Sequence, residues 1–218
     1  MSWRMEPKRY LSRYHSQMIY GIIMRVWKDC DMVRFIAKLL SCLWLFKGKK
    51  VRNDKRDRFI SWMYARKIRR TARSVGDYIS VYAPTSVTKS TTIGNHCGFG
   101  GVDIFGAGDV TIGNNTYISA HTTIYSQNHN YLTGEYLPFG FDWIVKPVRI
   151  DDCVWIGSHC IILPGTHIGE GAIIQAGSVV HGEIPPLSIA GGNPAKVFSR
   201  RDEEHYNRLK AAKKFVVC

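Results

Sequence analysis

Branched aliphatic residues recur at every sixth position in the second half of the chain. Each of the first five of these aliphatic residues is followed, four positions later, by a small or compact residue. A second set of aliphatic residues further upstream keeps the same spacing. A period of six fits neither an α-helix nor a lone strand, but it fits a strand plus a turn repeated as one face of a prism. The repeated positions are Ile150, Ile156, Ile162, Ile168, Ile174 and Val180, and the upstream positions are Ile112, Ile118 and Ile124.

Three such units make one coil of a parallel β-helix in which each aliphatic side chain points inward. The repeat predicts that Ile150 stacks on Ile168, and Ile156 on Ile174, 18 residues further along the chain. Glycines break the repeat between Ile93 and Val110, so we expect irregular or shortened coils there. The pattern as a whole predicts a mainly β fold with helices only at its two ends.

An insertion interrupts the repeat between Ile124 and Val148. Its sequence, SQNHNYLTGEYLPFGFDWIVKP, is rich in polar and aromatic residues. Binding and catalytic residues are often carried by loops on a rigid scaffold, so we expect the loop at residues 126–147 to carry the functional site.

The first third of the chain follows a helical pattern, with polar residues three or four positions apart from Gln17 to Phe46. This spacing predicts an amphipathic helix with a wide apolar face, and the basic aromatic segment FISWMYARKIRR follows it. Its charges leave no uncharged run of the about 20 residues that cross a bilayer. Two interpretations stay open: residues 17–70 bind an anionic membrane surface, or the extension packs on protein.

The excess of positive over negative charge lies entirely in this extension. The net charge is +13, with 20 Lys and Arg against 5 Asp and Glu in residues 1–75 and 10 against 12 in the remainder. No zinc finger, RNA-binding aromatic motif or helix-turn-helix pattern accompanies it, so we expect no nucleic-acid partner. We predict three parts: the extension (1–75), the β-helix (76–200) and a short C-terminal helix (201–218).

The six cysteines contain no CxxC pair and no regular spacing, so we expect free thiols in a reducing compartment and no metal site. The opening residues lack an apolar stretch followed by a small-residue cleavage site, so we expect no signal peptide. The predicted location is therefore the cytoplasm, with peripheral attachment to the inner membrane face if the extension binds lipid.

Three segments resemble a known family: IGNNTYISAHTTIYSQNHNY, VWIGSHCIILPGTHIGEGAIIQAGSVV and IPPLSIAGGNPAKV. Over about residues 78–201 the chain resembles the hexapeptide-repeat acyltransferases, especially the galactoside, maltose and polysaccharide O-acetyltransferases. The resemblance implies a left-handed parallel β-helix, acetyl-CoA as co-substrate, a homotrimer and a saccharide acceptor. The implied reaction moves an acetyl group to a sugar hydroxyl of a cell-surface polysaccharide or its lipid-linked precursor.

His129, in the insertion, matches the catalytic histidine of that family. A neutral imidazole can take the proton of a hydroxyl while the oxygen attacks a thioester. Glu135 and Asp142 are the carboxylates available to hold the second ring nitrogen, and the spacing does not decide between them. Asn128 is a further candidate for orienting the histidine or the acceptor.

For the acyl donor, the resemblance implies a groove between neighbouring β-helices. Trp155, Gly157 and Ser158 match the motif at the thioester end. Ala176 and Gly177 match positions whose backbone meets the pantetheine amides. The residues matched or suited to the nucleotide phosphates are Lys196, Arg200 and Arg201.

Other functions compete with this interpretation. An N-acetyltransferase of an amino sugar or an antibiotic acetyltransferase would share the fold and differ in the acceptor. A zinc lyase similar to the γ-type carbonic anhydrases would need three converging histidines, which the spacing of His96, His121 and His129 does not provide. A non-catalytic scaffold that displays the basic extension is the third alternative.

Overall fold

Short parallel strands stack into a prism with three faces in the computed structural model, which describes residues 54–216. The helix predicted at Gln17–Phe46 lies outside these residues. The first face contains six strands, so the prism has six coils. Its strands are β1 (Ser74–Val75), β3 (Thr91–Ile93), β6 (Val110–Ile112), β11 (Val148–Ile150), β14 (His167–Ile168) and β17 (Glu183–Ile184).

The other two faces are formed by the remaining strands of the same coils. The second face is β2 (Ser80–Val81), β4 (Gly98–Phe99), β7 (Tyr117–Ile118), β12 (Trp155–Ile156), β15 (Ile173–Ile174) and β18 (Ser188–Gly192), with β19 (Ala195–Arg200) antiparallel to β18. The third face is β5 (Val102–Phe105), β8 (Thr122–Tyr125), β13 (Ile161–Ile162) and β16 (Val179–Val180).

The predicted stacking of the repeated aliphatic residues is confirmed. Ile150 pairs with Ile168, Ile156 with Ile174, and Ile162 with Val180, and all six side chains are buried. The compact residues of the repeat are also buried. Because the parallel strands on these faces are only two to five residues long, each coil is held by its neighbours rather than by its own contacts.

The chain turns at three corners in each coil. Corner 1 joins the first face to the second, corner 2 the second to the third, and corner 3 the third to the next coil. A residue with positive φ recurs at each corner, where the backbone is left-handed. These residues include Asn115 and Cys153 at corner 1, His121, His159 and Gly177 at corner 2, and Gly106, Gly165 and Gly182 at corner 3.

The coil between Ile93 and Val110 departs from the 18-residue repeat, as predicted, but it is not shortened. This coil has a strand on every face, and Phe99 fills the core position that isoleucine occupies above it. Ile93 pairs with Ile112, so the coil is one residue longer than the 18-residue repeat. The corner after β5 takes up the extra length, because Gly106 adopts a φ of 111° that few other residues tolerate.

A helix covers the first coil. Helix α1 (Asp54–Thr71) buries Ala65 and Ile68, and the Ser61 hydroxyl accepts a hydrogen bond from the amide of Val81. Phe59 and Trp62 of the same helix are exposed. In the described part of the chain, no helix combines the length and apolar character that a membrane span requires.

A second helix, α2 (Glu203–Ala211), packs near corner 1 of the last coils. The Asp202 carboxylate caps it by accepting from the amide of His205. Glu170 anchors it, accepting a hydrogen bond from the Tyr206 hydroxyl at 2.8 Å and pairing with Lys210. The fold is therefore mainly β with terminal helices, as predicted.

Replacing Ile162 with Ala should lower the free energy of unfolding by about 2–5 kcal/mol, because it opens a cavity in the axial stack. The adjacent Ile161 points outward and is 39% exposed, so Ile161→Ala should cost less than about 1 kcal/mol. Urea unfolding at one protein concentration measures both values. Equal losses in the two variants would contradict the inward stacking of Ile162.

Candidate active site

The insertion leaves the prism at corner 3 as a hairpin. Strand β9 (Gln127–His129) pairs with β10 (Trp143–Val145) in antiparallel register, with His129 opposite Trp143. The two strands hold the base of a loop that spans residues 130–142. His129 therefore lies where the paired strands meet the loop, three residues from the buried Ser126 of the prism and not at the tip of the excursion.

Two aromatic rings contact the His129 imidazole. The centroid of the Phe139 ring lies 3.8 Å away and that of the Trp143 ring 4.1 Å away, with interplanar angles of 21° and 30°. The histidine is half-buried as a result. These distances are those of stacked rings, so the contacts cover the faces of the imidazole and not its nitrogen-bearing edge.

The three residues predicted to orient His129 have other roles within the described chain. The Asn128 side chain accepts from the backbone amide of His129 at 2.9 Å. The Asp142 carboxylate accepts from the amide group of Asn130 at 2.7 Å, and Glu135 is exposed. Between residues 54 and 216 no hydrogen bond joins the His129 ring to a carboxylate, so an orienting role for Glu135 or Asp142 stays a prediction.

Four of the predicted donor-binding residues align along corner 2. Gly157 and Ser158 occupy the corner in one coil, and Ala176 and Gly177 occupy it in the next. The amide of Gly177 donates to the carbonyl of Ser158 at 2.8 Å, which joins the two coils. A Cβ at Gly157 would lie 2.5 Å from the amide nitrogen of Ala176, whereas one at Gly177 would meet nothing within 4 Å. We call these four residues the corner-2 strip.

Lys196 lies at the end of this strip, and Arg200 does not. In the hairpin of β18 and β19, Lys196 pairs with Gly191, and the amide of the adjacent Gly192 donates to the Ser178 hydroxyl at corner 2. Arg200 pairs with Ser188 at the opposite edge of the face. Arg201 follows it there and donates to the carbonyl of Gly171 at 2.6 Å.

Trp155 is exposed on the second face, two residues before the strip. Its indole nitrogen donates to the Ser119 hydroxyl at 3.4 Å. The ring also lines a cavity of about 510 Å³ between this face and the C-terminal segment. No pattern in the sequence predicts this cavity, since its walls come from distant segments: Tyr117, Val154 and Trp155 on one side and Leu209, Lys214 and Phe215 on the other.

The surroundings of this cavity raise the pKa values of two titratable groups beside it. Burial raises the pKa of the Cys153 thiol. Burial and hydrogen bonds with Cys153 and Glu170 raise the pKa of the Tyr206 hydroxyl. Both groups are therefore neutral near pH 7, and they act as packing and hydrogen-bonding groups rather than as nucleophiles.

Within a single chain, the candidate catalytic histidine and the candidate donor-binding residues lie at different corners of the prism. The hairpin with His129 emerges at corner 3, whereas the strip runs along corner 2. The histidines considered for a zinc site do not meet at one point either. His121 stacks on His159 at corner 2, with ring centroids 4.8 Å apart, whereas His129 lies in the hairpin at corner 3. In the portion that the structure describes, no group of three His, Cys, Asp or Glu side chains is placed to hold a metal ion.

Comparisons with known proteins agree with this fold. Residues 147–182 match the family described as bacterial transferase hexapeptide (six repeats). The Bacillus subtilis protein YvoF, which has a provisional acetyltransferase name, is 39% identical over 108 residues, 50% of this chain and 57% of YvoF. The matched segments span only about half the length of the first two curated relatives, 57% and 45%.

Two solved structures extend the similarity to most of the prism. A hexapeptide-repeat-containing acetyltransferase from Vibrio cholerae has a TM-score of 0.58 at 28% identity, covering 65% of this chain and 82% of that one. A galactoside acetyltransferase in complex with coenzyme A has a TM-score of 0.50 at 27% identity, covering 73% and 76%. The predicted resemblance to the hexapeptide-repeat acyltransferases and the predicted left-handed β-helix are confirmed.

Proposed function

We propose that this protein is an acetyl-CoA-dependent O-acetyltransferase that modifies a sugar hydroxyl, with His129 as the general base. The observation that carries the proposal is the corner-2 strip, in which small residues of successive coils form an open track that ends at Lys196. The galactoside acetyltransferase of similar fold was solved with coenzyme A bound, which supports the same class of donor.

The strip suits an extended pantetheine arm. Ala176 and Gly177 are exposed and present backbone atoms without bulky side chains, so the amides of the arm can approach closely. Lys196 supplies a positive charge for the nucleotide phosphates. Trp155 and Ser158 lie at the thioester end. Because Arg200 lies at the far edge of the second face, Lys196 is the better placed of the two for the phosphates.

In the proposed reaction, the oxygen of a sugar hydroxyl attacks the thioester carbonyl carbon while the His129 imidazole takes the hydroxyl proton. The carbon–sulfur bond then breaks, and the imidazolium returns the proton to the leaving thiolate. The products are an acetyl ester and the free thiol of coenzyme A. General-base assistance of this kind typically contributes about 10²- to 10⁴-fold in rate.

The separation of the two corners supports a site shared between chains. The hairpin of one chain brings His129 to the corner-2 strip of its neighbour, so a cyclic homotrimer has three equivalent sites. Exposed apolar side chains on the excursion, such as Leu132 and Phe141, favour such a contact.

The acceptor that we propose is a cell-surface polysaccharide or its lipid-linked precursor. The basic charge of residues 1–75 and the exposed Phe59 and Trp62 of α1 support a location at the inner membrane face. Arg66 lies over the Trp62 ring at 5.4 Å, a pairing of aromatic and cationic groups that suits anionic headgroups. Cosedimentation with anionic vesicles at low salt measures this attachment, and a protein that stays in the supernatant would contradict it.

Replacing His129 with Ala should lower kcat by about 10²- to 10⁴-fold, because the hydroxyl loses its proton acceptor. Release of coenzyme A with a panel of saccharides measures the rate, and calorimetry with coenzyme A should show unchanged affinity. His181→Ala is the matched control, since His181 is exposed on a corner away from the strip. A loss in His129→Ala smaller than about tenfold would remove this residue from the mechanism.

Replacing Gly177 with Asn should weaken coenzyme A binding at least about tenfold, or about 1.4 kcal/mol, because the new side chain enters the groove. Asn tolerates the left-handed backbone at φ 76°, and the added Cβ has free space, so the fold should persist. Tyr78 also has a left-handed backbone, at φ 55°, and is exposed at corner 1 of the first coil, away from both corners of the shared site, so Tyr78→Asn should leave the affinity unchanged. Equal affinities in the two variants would place the donor elsewhere.

A further inference from the structure

Two aromatic side chains enclose the His129 ring. Each ring centroid lies about 4 Å or less from the imidazole centroid and each ring plane is within 30° of parallel. Two rings that both stack this closely would overlap if they shared one face of the imidazole, since an aromatic ring has a thickness of about 3.5 Å. Phe139 and Trp143 therefore lie on opposite faces, and only the edge of the imidazole stays open.

This enclosure fixes the plane of the imidazole. A general base uses a lone pair that lies in the ring plane, so the plane must contain the line from its nitrogen to the acceptor hydroxyl. In many enzymes a hydrogen bond that the second ring nitrogen donates to a carboxylate sets this orientation. Between residues 54 and 216 His129 has no such bond, and stacking is the contact that restricts rotation of its ring.

A single buried asparagine holds both aromatic residues in position. Asn130 is 8% exposed, and its side-chain amide donates to Asp142 at 2.7 Å and to Thr133 at 2.9 Å. Its carbonyl side-chain oxygen accepts from the amides of Leu132 and Thr133 at 3.1 Å.

The backbone of Asn130 closes the same loop. Its amide donates to the carbonyl of Asp142 at 3.1 Å, and its carbonyl accepts from the amide of Gly140 at 2.8 Å. Gly140 follows Phe139 in the chain, and Asp142 precedes Trp143. Asn130 thus fixes the chain next to each of the two stacked rings.

We infer that Phe139 and Trp143 are positioning residues that hold the His129 imidazole in its reactive plane, and that Asn130 and Asp142 form the support that sets the two rings. This inference rests on the proposed function for its catalytic consequence. It assigns Asp142 to the loop, through Asn130, rather than to the second nitrogen of the histidine.

The first test compares Trp143→Leu with Trp143→Phe. A misplaced base can cost about 10- to 100-fold, so kcat should fall by that amount in Trp143→Leu, with the KM for acetyl-CoA within about twofold of wild type. Trp143→Phe keeps a flat ring and should retain most of the wild-type kcat. Tyr131→Leu is the matched control, because Tyr131 is exposed in the same loop and does not stack on His129.

Two kinetic outcomes would overturn the positioning role. One is a kcat for Trp143→Leu within twofold of that for Tyr131→Leu. The other is a Trp143→Phe variant as impaired as Trp143→Leu, which would show that the indole itself, and not a stacked ring, is needed. Thermal unfolding of each variant shows whether the fold is retained, and Phe139→Leu provides an independent second removal of the stack.

The second test needs no turnover. Aromatic rings stacked on an imidazole shift its ring-proton NMR resonances upfield, so at one pH the His129 ring protons, assigned by their absence in His129→Gln, should resonate upfield of exposed histidines. The resonances should move downfield in Trp143→Leu and in Phe139→Leu, and they should stay in place in Tyr131→Leu. If Trp143→Leu leaves these resonances unchanged, the stack does not exist in solution and the inference fails.

The two tests separate this inference from the proposed function. If the upfield shift of the His129 resonances is present but His129→Ala keeps activity within tenfold of wild type, the general-base role fails and the positioning role fails with it. If His129→Ala is inactive but Trp143→Leu is not, the base role stands and the positioning role is overturned.

Discussion

The inward stacking of one aliphatic side chain in every six residues is the constraint on which the structure depends. Strands of two to five residues cannot form a stable sheet alone, so each coil is defined by the coils above and below it. Because Ile156 lies under Ile174 and Ile162 under Val180, the corner between them is fixed as well. The site inherits its geometry from this stack.

That rigidity explains why the proposed donor track can be built almost entirely from backbone. The corner-2 strip places Gly157 directly against Ala176, and the amide of Gly177 against the carbonyl of Ser158, without any long side chain to position. The proposed base does not belong to the regular coils. It comes instead from the hairpin at corner 3, where the chain escapes the repeat and Phe139 and Trp143 order the histidine.

Sequence periodicity predicted the coils and the excursion because both depend on local spacing. Between Ile93 and Val110 it predicted an irregular coil but not how the coil is accommodated: a longer corner at Gly106 keeps the strands in register, with Phe99 in the core. The aromatic contacts of His129 and the role of Asn130 were missed, since they join residues up to 14 positions apart within an irregular loop. The separation of Arg200 from Lys196 depends on the β18–β19 hairpin, which the repeat does not describe.

The central claim is that the histidine of one chain acts on a donor held by its neighbour. Co-expression of a His129→Ala chain and a Gly177→Asn chain, with different tags, gives mixed trimers that can be purified and assayed at low acetyl-CoA. If each site is shared, every mixed trimer should contain one intact site out of three, so about a third of the wild-type activity should be restored from two nearly inactive parents. Activity no higher than the average of the two parents would show that each chain contains its own complete site, and would contradict the account.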